Sequence, residues 1–255
     1  IVVIVKVFWP PPPPPPERPI AFVSERDGNP EIYTIRPEGT GLTRLTKHQA
    51  NDDKVLWSPD GSKIAFASDR DGIQEVYLMD RDGRNVRRLT YTRPGEKWYA
   101  WSADSRRIVF EGAWDGFTHR DVYTVNSDGS AQVLLTDGKG LYWNASWSPD
   151  GQRILFVVLR GADAEVFTMD AQGSNWSALT DNVHWDQLPI WSPDGSHIAF
   201  VTARDNTWRV FAMNRDGTGE YELLADVDPD LYAAWSPDGS RIAVVGKRDG
   251  QDDIY

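Results

Sequence analysis

Short runs of alternating apolar and polar residues, broken at regular intervals by Asp-Gly turns, fill most of this chain. The second unit shows the pattern. Lys54–Ser58 is followed by a Pro-Asp-Gly turn and by Lys63–Ser68; Arg70-Asp71-Gly72 leads into Glu75–Met79, and Asp82-Gly83 into Val86–Thr90. Runs of about five residues with period-2 alternation, joined by such turns, predict antiparallel hairpins. Nowhere do apolar residues recur at helical spacing over three turns, so helix is expected to be nearly absent.

The unit repeats. W-S-P-D-G, or a close variant, begins at Trp57, Trp101, Trp147, Trp191 and Trp235, at spacings of 44, 46, 44 and 44 residues. Each copy is followed by an apolar triplet: Ile64-Ala65-Phe66, Ile108-Val109-Phe110, Ile154-Leu155-Phe156, Ile198-Ala199-Phe200 and Ile242-Ala243-Val244. Ile20-Ala21-Phe22 is a sixth triplet. Four short strands recurring every 40–45 residues or so are the signature of a β-propeller. The expected fold is therefore all-β, a six-bladed β-propeller of four-stranded antiparallel blades over residues 20–255, with the tryptophan strand innermost. The triplets should be buried centrally, and a tryptophan at fixed phase in every unit reads as packing between blades.

The first nineteen residues are different material. Ile1, Val2, Val3, Ile4 and Val5 are apolar; Lys6 precedes Val7, Phe8 and Trp9; seven prolines, Pro10–Pro16, open a linker over residues 10–19. Polyproline forms an extended rod of about 3.1 Å per residue, roughly 22 Å for seven. Three readings of residues 1–9 stay open: a strand paired within the chain, a strand donated to a neighbour, or the stub of a membrane anchor. Nine residues alone are too few for a spanning helix.

Composition narrows the partners. With 40% hydrophobic and 25% charged residues in 255, the chain has the makings of a globular core. Thirty-eight acidic against 27 basic residues give a net charge of −11, a field that repels nucleic acid and anionic lipid. The absence of cysteine removes disulfides, thiolate metal sites and cysteine nucleophiles.

Three motifs recur in register: the W-S-P-D-G-x-x-I-A-F core, the S-x-R-D-G turn (Ser24–Gly28, Ser68–Gly72) and the E-I/V-Y strand (Glu31–Tyr33, Glu75–Tyr77). Together they resemble the TolB-type, WD-like propeller repeat across residues 20–255. The resemblance implies a bacterial or archaeal six-bladed propeller, extracytoplasmic (periplasm, cell surface or secreted), used mainly for protein binding.

Candidate chemistry is sparse. Five residues before each motif tryptophan stand Asp52, Glu96, Tyr142, Asp186 and Asp230. Four of the five are acidic, and the loop entering an innermost strand opens at a channel mouth, so Asp52, Glu96, Asp186 and Asp230 are candidate ligands of a hard cation such as calcium. The alternative is a solvated acidic rim, and no other cofactor is expected. Arg26, Arg70 and Arg248 sit in R-D-G turns, where an ion pair or turn hydrogen bond fixing the hairpin is the simpler reading. The four histidines share no metal-binding spacing. Two N-x-S sequons mark Asn175, in a hairpin turn where a glycan could project, and Asn144, in an innermost strand and poorly accessible. No G-x-S-x-G elbow and no Ser/His/Asp set in a recognisable frame is present, so no hydrolytic activity is expected.

The sequence thus points to a non-enzymatic scaffold binding a protein or glycan partner, with no small-molecule substrate of its own. Two alternatives remain: a structural subunit of a surface fibre or layer, self-associating through the N-terminal strand, and the sensor domain of a membrane-anchored receptor.

Overall fold

The computed structural model describes residues 19–92, 99–113, 119–227, 233–248 and 251–254. The strand expected at Ile1–Trp9, the proline run, Glu96 and Asp230 lie outside the described residues.

Among the described residues every regular element is a strand, and the strands form six antiparallel sheets in chain order. Sheet one holds Ile20–Ser24, Glu31–Ile35 and Thr43–Arg44. Sheet two holds Asp52–Trp57, Lys63–Ser68, Glu75–Asp80 and Arg87–Arg88. Sheet three holds Tyr99–Trp101, Arg107–Ala113, Arg120–Asn126 and Val133–Leu134. Sheet four holds Tyr142–Trp147, Arg153–Arg160, Asp163–Asp170 and Ser177–Ala178. Sheet five holds Asp186–Trp191, His197–Arg204, Thr207–Asn214 and Tyr221–Val227, and sheet six holds Ala233–Trp235, Ile242–Arg248 and Gln251–Ile254. Sheets two to five have four strands each, in the order 1-2-3-4, as the turn pattern requires.

The motif turn closes for a local reason. Ser58 Oγ donates to Asp60 Oδ1 at 2.6 Å, and the Lys63 N–H donates to Ser58 Oγ at 3.0 Å. The same serine–aspartate bond recurs at Ser102, Ser148, Ser192 and Ser236. Gly61, Gly151, Gly195 and Gly239 follow with φ between +67° and +70°, a region glycine enters without a Cβ penalty.

The cores lie between sheets. Ile32 of sheet one packs with Ile64, Phe66 and Trp57 of sheet two; Ala65 and Val76 of sheet two pack with Ile108 and Trp101 of sheet three. Val109 and Val122 meet Ile154 and Trp147 across the next interface, and Leu155 and Val166 meet Ile198 and Trp191 across the one after. Each of these four motif tryptophans is thus inter-sheet packing. The triplets of sheets two to five are buried as expected. In sheet one the expectation fails at Ile20, which is 52% exposed where Ile64 is 0%. Among the described residues Ile20–Ser24 pairs with Glu31–Ile35 alone, whereas Lys63–Ser68 is paired on both sides.

Tyr142–Trp147 touches both Tyr99–Trp101 and Asp186–Trp191, the equivalent strands of the sheets on either side. First strands converging in this way place the tryptophan strands on the inner side of the assembly.

Candidate functional site

The entries to the first strands of sheets two, four and five each carry a β-bulge that resets which residues face outward. In sheet two the register slips between Asp53 and Leu56; in sheets four and five it slips between Trp143 and Ser146 and between Gln187 and Ile190. One residue in each bulge is left-handed: Lys54 at φ 50°, Asn144 at 54° and Leu188 at 52°. Strand side chains alternate faces, so one extra residue reverses the side on which everything before it lies. The position five before the tryptophan turns into the sheet interface, and the position four before it turns out.

That reversal turns Asp52 and Asp186, two of the four residues of the expected acidic ring, away from a channel mouth. Asp52 and Asp186 have no exposed surface. Both oxygens of Asp52 accept from Arg70 Nη2, each at 3.0 Å. Asp186 accepts from Asn182 Nδ2 at 2.9 Å, and burial raises its pKa against the hydrogen bonds of Thr202 and Asn182. Tyr142, in the same position of sheet four, donates to Asp137 at 2.8 Å. Glu96 and Asp230 lie outside the described residues, and among the described residues no three His, Cys, Asp or Glu side chains gather into a cluster that could hold a metal ion.

The R-D-G turns are braced as their composition suggests. Arg70 Nε donates to Ser68 Oγ at 2.9 Å, and its guanidinium lies 4.7 Å from the centre of the Tyr77 ring. Asp71 and Asp27 each accept from a tyrosine hydroxyl, Tyr77 and Tyr33, which holds both carboxyls below their ordinary pKa.

A second recurrent carboxylate escaped the sequence reading. Glu31, Glu75, Asp121 and Glu165 lie at or near the start of the equivalent strands Glu31–Ile35, Glu75–Asp80, Arg120–Asn126 and Asp163–Asp170 and are buried. Thr90 Oγ1 donates to Glu75 at 2.7 Å and Thr180 Oγ1 to Glu165 at 2.6 Å, while each hydroxyl accepts from the backbone N–H of Val76 or Val166 at 2.9 Å. Thr136 and Asp121 repeat the arrangement in sheet three. Backbone N–H groups of His48, Thr92, Gly138 and Asn182 complete the four shells at 2.8 to 3.1 Å. In Glu31, burial pushes the pKa up but Thr46, Arg44 and the His48 N–H outweigh it and leave it lowered; in Glu165 burial wins and the pKa is raised. In sheet five Arg209 and Leu224 replace carboxylate and threonine together, and Arg209 pairs with Glu222 at 2.8 Å. The signal was present as E-x-Y and L-T at fixed offsets, but each half reads as ordinary strand until the pairing joins them.

Three further groups break the repeat. Glu111 stands where Ala67, Val157 and Val201 stand in other sheets; it is buried, accepts from the Ala145 N–H at 3.3 Å and lies 3.6 Å from Arg120. Burial pushes its pKa up to about 7. Trp143, at the outward position of sheet four, meets Trp185, which precedes the first strand of sheet five; the ring centres are 6.1 Å apart and tilted by 32°. Trp185 Nε1 donates to Gln187 Oε1 at 3.1 Å. Both indoles are half-buried, and Val183, two residues before Trp185, is 81% exposed.

Of the sequon asparagines, Asn175 is exposed in its turn at φ 52° and donates to Asp170 at 2.9 Å. Asn144 is half-buried in the bulge, where its Oδ1 accepts from the Leu188 N–H at 3.3 Å.

The sequence profile of the TolB beta propeller domain matches residues 10–139 and 97–228. No curated protein sequence matches the chain. Among solved structures, a protein described as TolB from Agrobacterium tumefaciens is 25% identical, with a TM-score of 0.67, 84% of this chain covered and 82% of that one. TolB from Acinetobacter baumannii is 20% identical at a TM-score of 0.71, covering 92% of this chain and 59% of that chain, so this chain spans little more than half its length. Oligogalacturonate lyase from Vibrio parahaemolyticus is 14% identical at a TM-score of 0.72, covering 93% of this chain and 74% of that one, a likeness of fold alone.

Proposed function

Because the chain belongs to the TolB beta propeller family, we propose that it is a non-enzymatic, extracytoplasmic binding scaffold that presents the loop face around Trp143 and Trp185 to a protein partner. Its six sheets are read as six blades closing one ring. The observation that carries the reading is the contrast between two sets of side chains. The buried carboxylates Asp52, Glu31, Glu75 and Glu165 are each held by arginine, threonine or backbone donors, which leaves them poor candidates for general bases. Large apolar groups, in contrast, reach the surface: Val183, two residues before Trp185, at 81% exposure, and the two half-buried indoles. Tryptophan at the centre of an exposed apolar patch is the composition of an interface hot spot.

A photo-crosslinking amino acid placed at Val183 in the full chain tests this. The expected result is a discrete protein adduct that is absent when the same group replaces Tyr221 on the fourth strand of sheet five. Equal capture from both positions, or turnover of a substrate that vanishes with a point mutation, would overturn it.

A further inference from the structure

We infer that the Trp143–Trp185 pair is a docking platform for polyproline, and that its occupant is the Pro10–Pro16 run of a second copy of this chain. This rests on the reading of the loop face as a binding surface and names the chemistry that surface takes.

The platform is built rather than incidental. Trp143 lies in a first strand, paired with Val157. Trp185 is fixed at its backbone, where its carbonyl accepts from the Ala203 N–H at 3.0 Å, and at its ring by the bond to Gln187. The Nε1 bond holds the ring by its edge and so takes up neither of its faces. A first strand of sheet four and the residue that leads into the first strand of sheet five thus hold two indoles 6.1 Å apart. One turn of polyproline II rises about 9 Å, so a single turn spans both rings. Aromatic-lined surfaces recognise such segments because the helix is preformed and loses little entropy on binding.

The chemistry of the surroundings favours proline over the other ligands that stack on indole. Val183, two residues before Trp185 and 81% exposed, adds an aliphatic side chain to that loop, of the kind on which a pyrrolidine ring packs. A chain of net charge −11 disfavours an anionic ligand, whereas proline carries neither charge nor N–H. The same chain supplies a matching ligand in seven consecutive prolines. Only Glu17, Arg18 and Pro19 separate that run from Ile20 of sheet one, a reach of about 10 Å. The indoles belong to sheets four and five, and the run that fills them is assigned to a second molecule; a chain that light scattering shows as a monomer at every concentration would overturn that assignment.

The test is a titration of N-acetylated, C-amidated heptaproline into the full chain, labelled with nitrogen-15 and read at the indole N–H resonances. Saturable shifts should be confined to the two resonances that disappear in Trp143→Ala and Trp185→Ala, with affinity reduced at least tenfold in each variant. Saturating peptide should also lower the mass seen by light scattering toward the monomer. If the alanine variants do not fold, replacing Pro10–Pro16 with Gly-Ser repeats supplies the second measurement: self-association should be lost while heptaproline still shifts the two indoles. Unshifted indoles, shifts that persist without Trp143 and Trp185, or a response to maltohexaose in place of heptaproline would overturn the inference. Should heptaproline fail while position 183 still captures a protein partner, the binding face stands and only its polyproline chemistry falls.

Discussion

Arg70 Nη2 lies 3.0 Å from each carboxylate oxygen of Asp52, a side chain with no exposed surface. The pair ties the entry of the first strand to the hairpin between the second and third strands of the same sheet. A buried ion pair contributes little net stability when intact, yet removing one partner strands the other charge without solvent. Arg70→Ala should therefore cost about 3–5 kcal/mol in urea unfolding. The double variant Asp52→Asn/Arg70→Met should recover much of that loss. Equal losses in the single and double variants would mean that the arginine acts through its packing on Phe66 and Tyr77 instead.

Glu111 should make stability fall with rising pH. Its folded pKa, about 7, lies above the ordinary 4.5. The native state therefore holds a proton that the unfolded chain releases between those values, and stability present below about pH 4.5 is lost up to about pH 7. Each tenfold difference in proton affinity between the two states is worth about 1.4 kcal/mol, so the loss is on the order of 3 kcal/mol at most. Glu111→Gln removes that slope, so the difference in unfolding free energy between the two proteins should favour the variant increasingly from pH 4.5 to 7. A pH-independent difference would show that Arg120 keeps the carboxylate charged throughout.

The threonine–carboxylate pairs should be strongly coupled. In Thr180→Val, Glu165 loses a donor and the Val166 N–H loses an acceptor inside a dry interface, at about 1–3 kcal/mol. Sheet five avoids the penalty because Leu224, opposite Val210, is accompanied by Arg209 rather than a carboxylate. The double variant Glu165→Val/Thr180→Val should accordingly unfold later than Thr180→Val alone, and a simple sum of the two single losses would argue against coupling.

The repeat was legible because it is written in turn chemistry: Ser58, Asp60 and Gly61 close a hairpin by bonds that recur in every copy, and Ile64 and Phe66 fall on one face by alternation. The bulge was not legible. Asn144 suits a left-handed residue, but Lys54 and Leu188 occupy the same site at φ 50° and 52° with no such preference. That one displaced residue turned Asp52 and Asp186 inward and brought Trp143 and Gln187 outward, an inversion that a fixed spacing counted back from the tryptophan does not reveal. Glu111 was visible as a carboxylate in an apolar column, yet its consequence depends on depth, which the sequence does not encode.

Burial, not motif identity, should set the cost of altering the triplets. Ile64 and Ile20 open the same motif, but Ile64 is enclosed between Asp52–Trp57 and Glu75–Asp80 while Ile20 is 52% exposed. Truncating an enclosed isoleucine leaves a cavity as well as losing transfer energy, so Ile64→Ala should cost about 2–5 kcal/mol. Ile20 already meets water over half its surface, and its truncation should cost less than about 1 kcal/mol by the area it still removes from solvent. Both are read from urea midpoints at unchanged slope. A loss at Ile20 as large as at Ile64 would mean that the edge of Ile20–Ser24 is covered in solution. A loss that grows with protein concentration would assign the cover to another copy of the chain.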